Sequence, residues 1–182
     1  MGTFETFRTF DGYAGSNKVY FCVPLCNDGR FYFCASPSNC CIAVEVLSDK
    51  FLDLWRARQQ NHHKEIANGD INTWRRDSKL NANREYFERA SYRENAKPLA
   101  DVDFLWEKQL EVMHFPKILG IVADDIPFYV QRPTVSLVDG VTRTLWLLTH
   151  LAPYFPIQVF SEKKARELAQ LAGTSSQAWA RF

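Results

Sequence analysis

The residues best suited to chemistry lie in a short turn, Asp139 to Thr144. An apolar run over 134–138 precedes this turn and a second one follows it, so we predict a strand, the turn, and a helix that begins near Val141. The start of a helix presents unpaired backbone N–H groups and a partial positive charge, and Gly140 lets that backbone approach an anion closely. The pattern therefore predicts a phosphate site.

The side chains of the turn suit a phosphate that carries a metal ion. Arg143, one helical turn inside, can make a bidentate phosphate contact, and Thr142 and Thr144 supply hydroxyls. Asp139 would repel a phosphate unless a divalent cation lay between them, which makes Asp139 a candidate metal ligand. The alternative is an ordinary helix N-cap, which is the commoner role when only these few residues are considered.

The elements around the turn must position it. On the N-terminal side, we predict a helix from Asp101 or Asp103 to Met113 and then short strands over 117–123, 128–131 and 134–138. On the C-terminal side, we predict a helix over 141–151, an apolar strand that ends at Phe160, and a last helix over 162–172 that Ser161 caps and whose apolar stripe includes Ala165, Leu168, Ala169 and Leu171.

The order of these elements resembles the core of the ParB/sulfiredoxin superfamily over about 117–159. In that superfamily a strand enters a Gly-x-x-Arg turn that opens a helix, and a strand of the Ile-Pro-Val type follows. Here the two motifs are Gly140-Val-Thr-Arg143 and Phe155-Pro-Ile-Gln-Val159. The resemblance implies an α+β fold, with a ParB/sulfiredoxin-like core of mixed sheet and helices.

The resemblance also implies a site. Its substrate would be ATP or another nucleoside triphosphate, used with Mg²⁺ or Mn²⁺. The residues expected to bind the nucleotide are Gly140, Val141, Thr142, Arg143 and Thr144, and those expected to act in catalysis are Arg143, Asp139 and Thr142, with Asp139 on the metal.

Departures from the superfamily pattern narrow the expected function. Sulfiredoxins carry a nucleophilic cysteine and then a histidine where this chain has Val141 and Thr142, and a valine cannot attack a phosphoryl ester. ParB partition proteins add a helix-turn-helix and a dimerisation domain, whereas only 22 residues follow Phe160. We therefore expect neither activity.

The phrase Val138-Asp-Gly-Val-Thr-Arg-Thr-Leu145 resembles the plasmid fertility-inhibition, or oncogenic suppression, proteins. That resemblance implies an ATPase and DNase that blocks substrate transfer through a type IV secretion system, with DNA and secretion components as partners. One alternative is a non-enzymatic inhibitor that binds the secretion machinery and keeps a vestigial or regulatory nucleotide site. A transcription cofactor that acts by DNA binding alone is disfavoured, because 22 Lys and Arg nearly balance 21 Asp and Glu.

The first hundred residues carry two further patterns. Aromatic and β-branched runs over 3–10, 18–23, 30–34 and 41–46 predict an N-terminal antiparallel β meander, followed by a helix from Ser48 to about Gln60. The segment 61–98 mixes cations with aromatic residues, which could bind nucleic acid. We favour an amphipathic helix over 82–95 with solvated charges, because Glu85, Glu88 and Glu94 dilute the positive field.

Composition and N-terminal sequence patterns predict the domain organisation, the cellular location and the state of the cysteines. We predict one domain over 1–182, made of segments 1–60, 61–100 and 101–182. The N-terminal residues match neither a secretory leader nor a myristoylation signal. We therefore expect a cytoplasmic protein without a lipid anchor. It would reach the inner membrane through secretion partners. Irregular spacing argues against structural zinc and for reduced thiols at Cys22, Cys26, Cys34, Cys40 and Cys41.

Overall fold

The computed structural model describes residues 18–37, 41–114 and 125–182. Its strands are β1 (Lys18–Pro24), β2 (Phe31–Pro37), β3 (Ile42–Leu47), β4 (Lys97–Pro98), β5 (Ala100–Met113), β6 (Ile126–Asp139), β7 (Tyr154–Val159) and β8 (Trp179–Arg181). Its α-helices are α1 (Ser48–Ala57), α2 (Lys64–Ala67), α3 (Ile71–Arg75), α4 (Ser78–Ala82), α5 (Arg84–Glu88), α6 (Val141–Thr149) and α7 (Glu162–Ala172), and 3-10 turns cover Arg89–Ser91 and Arg93–Asn95. None of these helices is long and apolar enough to cross a membrane.

A five-stranded sheet in the order β6-β5-β7-β3-β8 positions the predicted turn. β5 runs antiparallel to β6 but parallel to β7, and β3 lies antiparallel to both β7 and β8. β1, β2 and β4 form a smaller sheet of three strands. The predicted α+β class, with mixed sheet and helices, is confirmed. The prediction of a single domain stays a prediction.

β5 replaces the helix predicted from Asp101 or Asp103 to Met113, which is wrong. Val102 and Phe104 alternate with the more accessible Asp101 and Asp103, so the period is two, and Val102 and Phe104 are almost fully buried. Pairing with β6 along the whole strand then satisfies the backbone. The two strands predicted over 128–131 and 134–138 are one, β6, since Pro133 is tolerated on an edge strand. The strand predicted over 117–123 lies outside the described residues.

The predicted N-terminal meander is reduced to a hairpin of β1 and β2. The third strand, β3, leaves that hairpin and enters the large sheet, because its almost continuous apolar sequence suits burial between β7 and β8. Ser48 is the first residue of α1 and not its N-cap, a position held by Leu47, and its hydroxyl donates to the carbonyl of Ala152. The run over 3–10 lies outside the described residues.

Aromatic and small side chains join the helices to the large sheet. Phe51 of α1 meets Phe155 of β7 edge to face at 5.3 Å between ring centroids, and both are fully buried. α7 agrees with the predicted helix over 162–172, and Ser161 caps it by accepting from Lys164 N. Its buried stripe ends on Ala172 and not on Leu171, because Ala172 follows Leu168 by four residues and lies on the same face.

The segment 61–98 forms several short helices in place of the predicted single helix over 82–95. Asp70 and Asp77 each cap a new helix, accepting hydrogen bonds from Thr73 N at 2.7 Å and Leu80 N at 2.8 Å. Each of these helices is anchored by one buried apolar side chain: Ala67, Trp74, Leu80 and Phe87. Two of the glutamates expected to weaken the positive field of this segment form ion pairs, Arg84–Glu88 and Arg89–Glu85.

Two described cysteines should react with thiol reagents at very different rates. Cys26 is exposed in the turn after β1, whereas Cys34 is buried, and burial raises the pKa of Cys34 to about 12. Because the thiolate is the reactive species, iodoacetamide at mildly alkaline pH should label Cys26 in the native protein and Cys34 only after unfolding. Peptide mass spectrometry measures both sites in one sample. Native labelling of Cys34 as fast as that of Cys26 would contradict the placement of β2 in the core.

Candidate functional site

Gly140 links the end of β6 to the start of α6 and has a backbone conformation that few other residues adopt. Its φ is +92°, and a Cβ atom there would lie only 2.8 Å from both Cα and Cβ of Ala100 on β5. Glycine is therefore required both by the left-handed conformation and by contact with the neighbouring strand. The predicted strand, glycine turn and helix are present as expected. A Cβ atom at Gly140 would also lie 2.9 Å from Arg143 Nη2, so the space beside Gly140 is filled by the protein itself.

Asp139 and Arg143 form an ion pair across the turn. Asp139 Oδ2 accepts from Arg143 Nη2 at 2.8 Å, while Asp139 Oδ1 accepts from the backbone N–H of Gly140 at 2.7 Å. The hydrogen bond from Arg143 lowers the pKa of Asp139 below its ordinary value, although partial desolvation opposes it. The interpretation of Asp139 as the helix N-cap is wrong, because Gly140 occupies that position.

Asp101 is a second carboxylate beside this pair, and from sequence we predicted it only as a possible helix cap. The register of β5 and β6 places Asp101 opposite Asp139. Burial raises the pKa of Asp101, and the negative charge of Asp139 raises it further, while Arg143 lowers it. The signal for Asp101 was the alternation of apolar residues along β5, which the interpretation of Asp101 as a helix cap concealed.

Hydrogen-bond donors around the turn remain available to a ligand. Within the described part of the chain, no side chain caps the first-turn amides of α6. The guanidinium of Arg143 also donates to the carbonyl of Leu99 at 3.3 Å, but its buried Nε has no partner among the described residues. Among the described residues, the carboxylate paired with this cation is Asp139. Because Nε is buried, an anion at the turn would have to bind the terminal guanidinium nitrogens or the first-turn amides of α6.

The other predicted ligands differ in how accessible they are. Val141 and Thr142 are partly buried at the start of α6, whereas Thr144 is 1% exposed and points into the core. The hydroxyl of Thr144 is buried and has no partner in the described part of the chain. A nucleotide contact through Thr144 would therefore need a local movement. The assignment of all five residues to nucleotide binding stays a prediction.

Among the described residues, two carboxylates, Asp101 and Asp139, lie where they could hold a metal ion at this turn. In the regions that the structure describes, no three His, Cys, Asp or Glu side chains lie together in a metal-binding cluster. Glu107 and Glu111 lie farther along β5 and bond to Gln109 and Arg132, and Asp125 bonds to His114. Glu111 is ten residues beyond Asp101 on an extended strand, roughly 30 Å away. Asp101 is the only one of these carboxylates that faces Asp139.

Replacing the two aspartates should change stability in opposite directions. The pKa of Asp139 is lowered in the folded chain, so its ionised form stabilises the fold, and this contribution is lost as the pH falls through the lowered pKa. The pKa of Asp101 is raised, so its ionised form costs stability once the pH rises through the raised value. At pH 7, Asp139→Asn should lower and Asp101→Asn should raise the free energy of unfolding, each by less than about 1 kcal/mol because both side chains reach solvent.

Urea unfolding of the wild type and both variants over an acid-to-neutral pH series tests this pair of signs. Both differences should vanish once the pH lies below the carboxyl pKa values. A loss of stability at pH 7 in both variants would contradict the assigned charge arrangement.

A substitution at Gly140 should cost more than the same substitution at another left-handed glycine. Gly29 has a φ of +69° and nothing within 4 Å of a built Cβ, so Gly29→Ala meets only the conformational penalty, about 1–2 kcal/mol. Gly140→Ala meets that penalty and also the contact with Ala100. Urea unfolding should therefore show a clearly larger loss for Gly140→Ala. Equal losses of unfolding free energy in the two variants would mean that Gly140 is not in close contact with β5.

Comparison with known proteins assigns the chain to a family. The family model PFIN, plasmid fertility inhibition factor, matches residues 43–173, which include β5, β6 and α6. The crystal structure of oncogenic suppression activity protein, a plasmid fertility inhibition factor, as its gold(I) cyanide derivative, superposes with a TM-score of 0.66 and 23% identity. That match covers 91% of this chain and 73% of that chain, and at this identity it shows a shared fold. No curated protein sequence matches the chain. Because the family model spans most of its length, the chain belongs to the plasmid fertility inhibition factors.

Proposed function

We propose that this fertility inhibition factor hydrolyses nucleoside triphosphates and cleaves DNA in a reaction that depends on Mg²⁺ or Mn²⁺. By this activity it would block the transfer of plasmid DNA through a type IV secretion system. The observation that carries the proposal is the pairing of Asp101 with Asp139 across β5 and β6, beside Arg143 at the start of α6.

The donor set suits a magnesium ion that arrives with a phosphate ligand. Mg²⁺ is usually held in enzymes by one or two carboxylates, with phosphate oxygens and waters completing its shell, so Asp101 and Asp139 would suffice as protein ligands. Burial and the charge of Asp139 both disfavour an ionised Asp101, and a cation held between the two would remove that repulsion. The metal would supply Lewis-acid stabilisation of the phosphate charge.

Arg143 would change partners when the nucleotide binds. In the structure, its guanidinium donates to Asp139 at 2.8 Å. A cation on Asp139 would weaken that ion pair and free the guanidinium for a phosphate oxygen. The backbone N–H groups of the first turn of α6 would then contact the same phosphate. Because one carboxylate restrains the arginine and also binds the metal, nucleotide without metal should bind poorly.

Hydrolysis should depend on three charged side chains, Asp139 and Arg143 of the turn and Asp101 of β5. We expect Asp139→Asn, Asp101→Asn and Arg143→Lys each to lower phosphate release from ATP, and plasmid nicking, by about tenfold or more, as is usual when a group that stabilises transition-state charge is lost. Arg143→Lys is preferred to alanine because it keeps the charge and loses the planar fork.

Controls separate catalysis from folding and from contamination. Asp53→Asn removes an exposed carboxylate on α1 and should leave both rates unchanged. All proteins should be compared by thermal unfolding, and EDTA should abolish both reactions. If the wild type leaves ATP and plasmid DNA intact with Mg²⁺ and with Mn²⁺, the hydrolytic proposal fails.

A second candidate function, inhibition by binding to the secretion machinery without catalysis, is favoured by the surface of the β5–β6 hairpin. β7 pairs with β5 only at Ala100 and Asp101, so most of the hairpin extends past its neighbour. This part carries six exposed large apolar side chains: Trp106, Leu110, Val112, Met113, Ile126 and Tyr129. Exposed apolar patches of this kind often mark protein contacts.

A mating assay separates the two functions. Plasmid transfer is measured from donor cells that contain the wild type, Asp139→Asn, or the paired change Leu110→Ser with Tyr129→Ser. Transfer restored by Asp139→Asn but not by the hairpin variant supports hydrolysis. The reverse pattern supports binding.

A further inference from the structure

A cavity of about 250 Å³ lies at the C-terminal end of α6, away from the turn at its start. It opens between the β1–β2 turn, the short helices α3 to α5, and the last residues of α6. Its lining is mostly polar, with guanidinium, amide, hydroxyl and imidazole groups, and includes Arg75, Arg84 and His150. No carboxylate belongs to the lining that the structure describes.

The two arginines of this cavity keep donors free. Arg75 forms no ion pair with any described carboxylate, and Arg84 uses Nε for Glu88 at 2.9 Å, so its terminal nitrogens remain free to bind an anion. Asn81 fixes the local backbone, because its Nδ2 donates to the carbonyls of Arg75 at 3.2 Å and Asp77 at 3.0 Å. The end of α3 and the start of α4 are thus tied together before any ligand arrives.

His150 forms one wall of the cavity in a defined orientation. Its ring lies 4.0 Å from the Trp146 ring, centroid to centroid, and the Trp146 ring also stacks with Phe87 at 5.4 Å. Its Nδ1 lies 2.8 Å from the carbonyl oxygen of Trp146. A carbonyl only accepts, so Nδ1 must carry a proton, and Nε2 of the neutral ring is then an acceptor. Nε2 can accept from a P–OH group of a ligand, and it donates to a phosphate oxygen only when the ring is protonated.

The charges that act on His150 come from three side chains on two elements. Burial has the largest effect and lowers the pKa of His150. Among the charged side chains, Asp28 raises this pKa, whereas Arg30 and Arg75 lower it. Asp28 is itself paired with Arg30 at 2.7 Å, so the two largely cancel each other. Among the described side chains that act on the imidazole, Arg75 is the cation without an ion-pair partner. An anion in the cavity would meet Arg75 and Arg84 together with hydrogen-bonding groups already held in place.

We propose that this cavity is a second anion site, which binds a small phosphate-bearing molecule independently of the Asp139–Arg143 turn. The size admits a phosphate with a small organic group, and the two guanidinium groups match phosphate geometry. The polar lining without a carboxylate distinguishes this cavity from the turn, where an anion meets Asp101 and Asp139. Binding here needs no divalent cation, whereas binding at the turn does.

Titration with inorganic phosphate in the absence of metal tests the site. The ring signals of His150, assigned with His150→Gln, are followed by NMR. The wild type should show a saturable shift. Arg75→Ala should weaken binding by about tenfold or more, the usual effect of losing one charge-assisted contact. Arg76→Ala, the adjacent exposed arginine outside this cavity, removes the same charge and should leave the affinity nearly unchanged.

Three outcomes would overturn the proposal. The first is the absence of a saturable shift with phosphate and with AMP, and the second is an equal loss in Arg75→Ala and Arg76→Ala, which would indicate general charge attraction. The third is a shift caused by a single-stranded oligonucleotide alone, which would make the surface a nucleic-acid contact. Arg143→Lys keeps the cavity intact, so an unchanged His150 titration in that variant supports an independent site, and its loss would place phosphate at the turn.

Discussion

The contact between Gly140 and the backbone of Ala100 is the constraint on which the rest of the site depends. It brings the end of β6 against the start of β5 so closely that no side chain fits between them. Asp101 and Asp139 therefore lie opposite each other, and Arg143 reaches back over Asp139 from the first turn of α6. Two acids on adjacent strands, with one half-buried arginine beside them, leave an excess of negative charge that a divalent cation would relieve.

The C-terminal half of the fold was largely predictable from local pattern. The glycine turn, α6, β7 and α7 follow from apolar periodicity and capping residues, and they agree closely with the observed boundaries. β5 was not predicted correctly because Asp101 and Asp103 resemble helix caps. The two-residue period of its apolar residues selects a strand over a helix only once β6 is present as a pairing partner. The placement of β3 likewise depends on β7 and β8, which lie far from it in sequence.

Long-range strand pairing also determines which site residues could be identified from the sequence. Asp139, Gly140 and Arg143 are neighbours in sequence, so their residue types and spacing were enough to identify them as candidate site residues. Asp101 joins them only through strand register, and the cavity at the other end of α6 combines the β1–β2 turn with α3 to α5. No single window of sequence contains either arrangement. α6 thus lies between the two proposed anion sites, which differ in chemistry: carboxylates lie beside the turn at its start, and none belongs to the described lining of the cavity at its end.

If Asp139 restrains Arg143 until a metal ion binds, calorimetric titration with ATP should reveal the restraint. The wild type should bind ATP with Mg²⁺ more tightly than ATP in EDTA. Asp139→Asn should lose this preference and bind metal-free ATP more tightly than the wild type does, because its Arg143 is no longer held by a carboxylate. If Asp139→Asn keeps the full preference for Mg²⁺, or binds metal-free ATP more weakly than the wild type, the ion pair is not the switch and the account is contradicted.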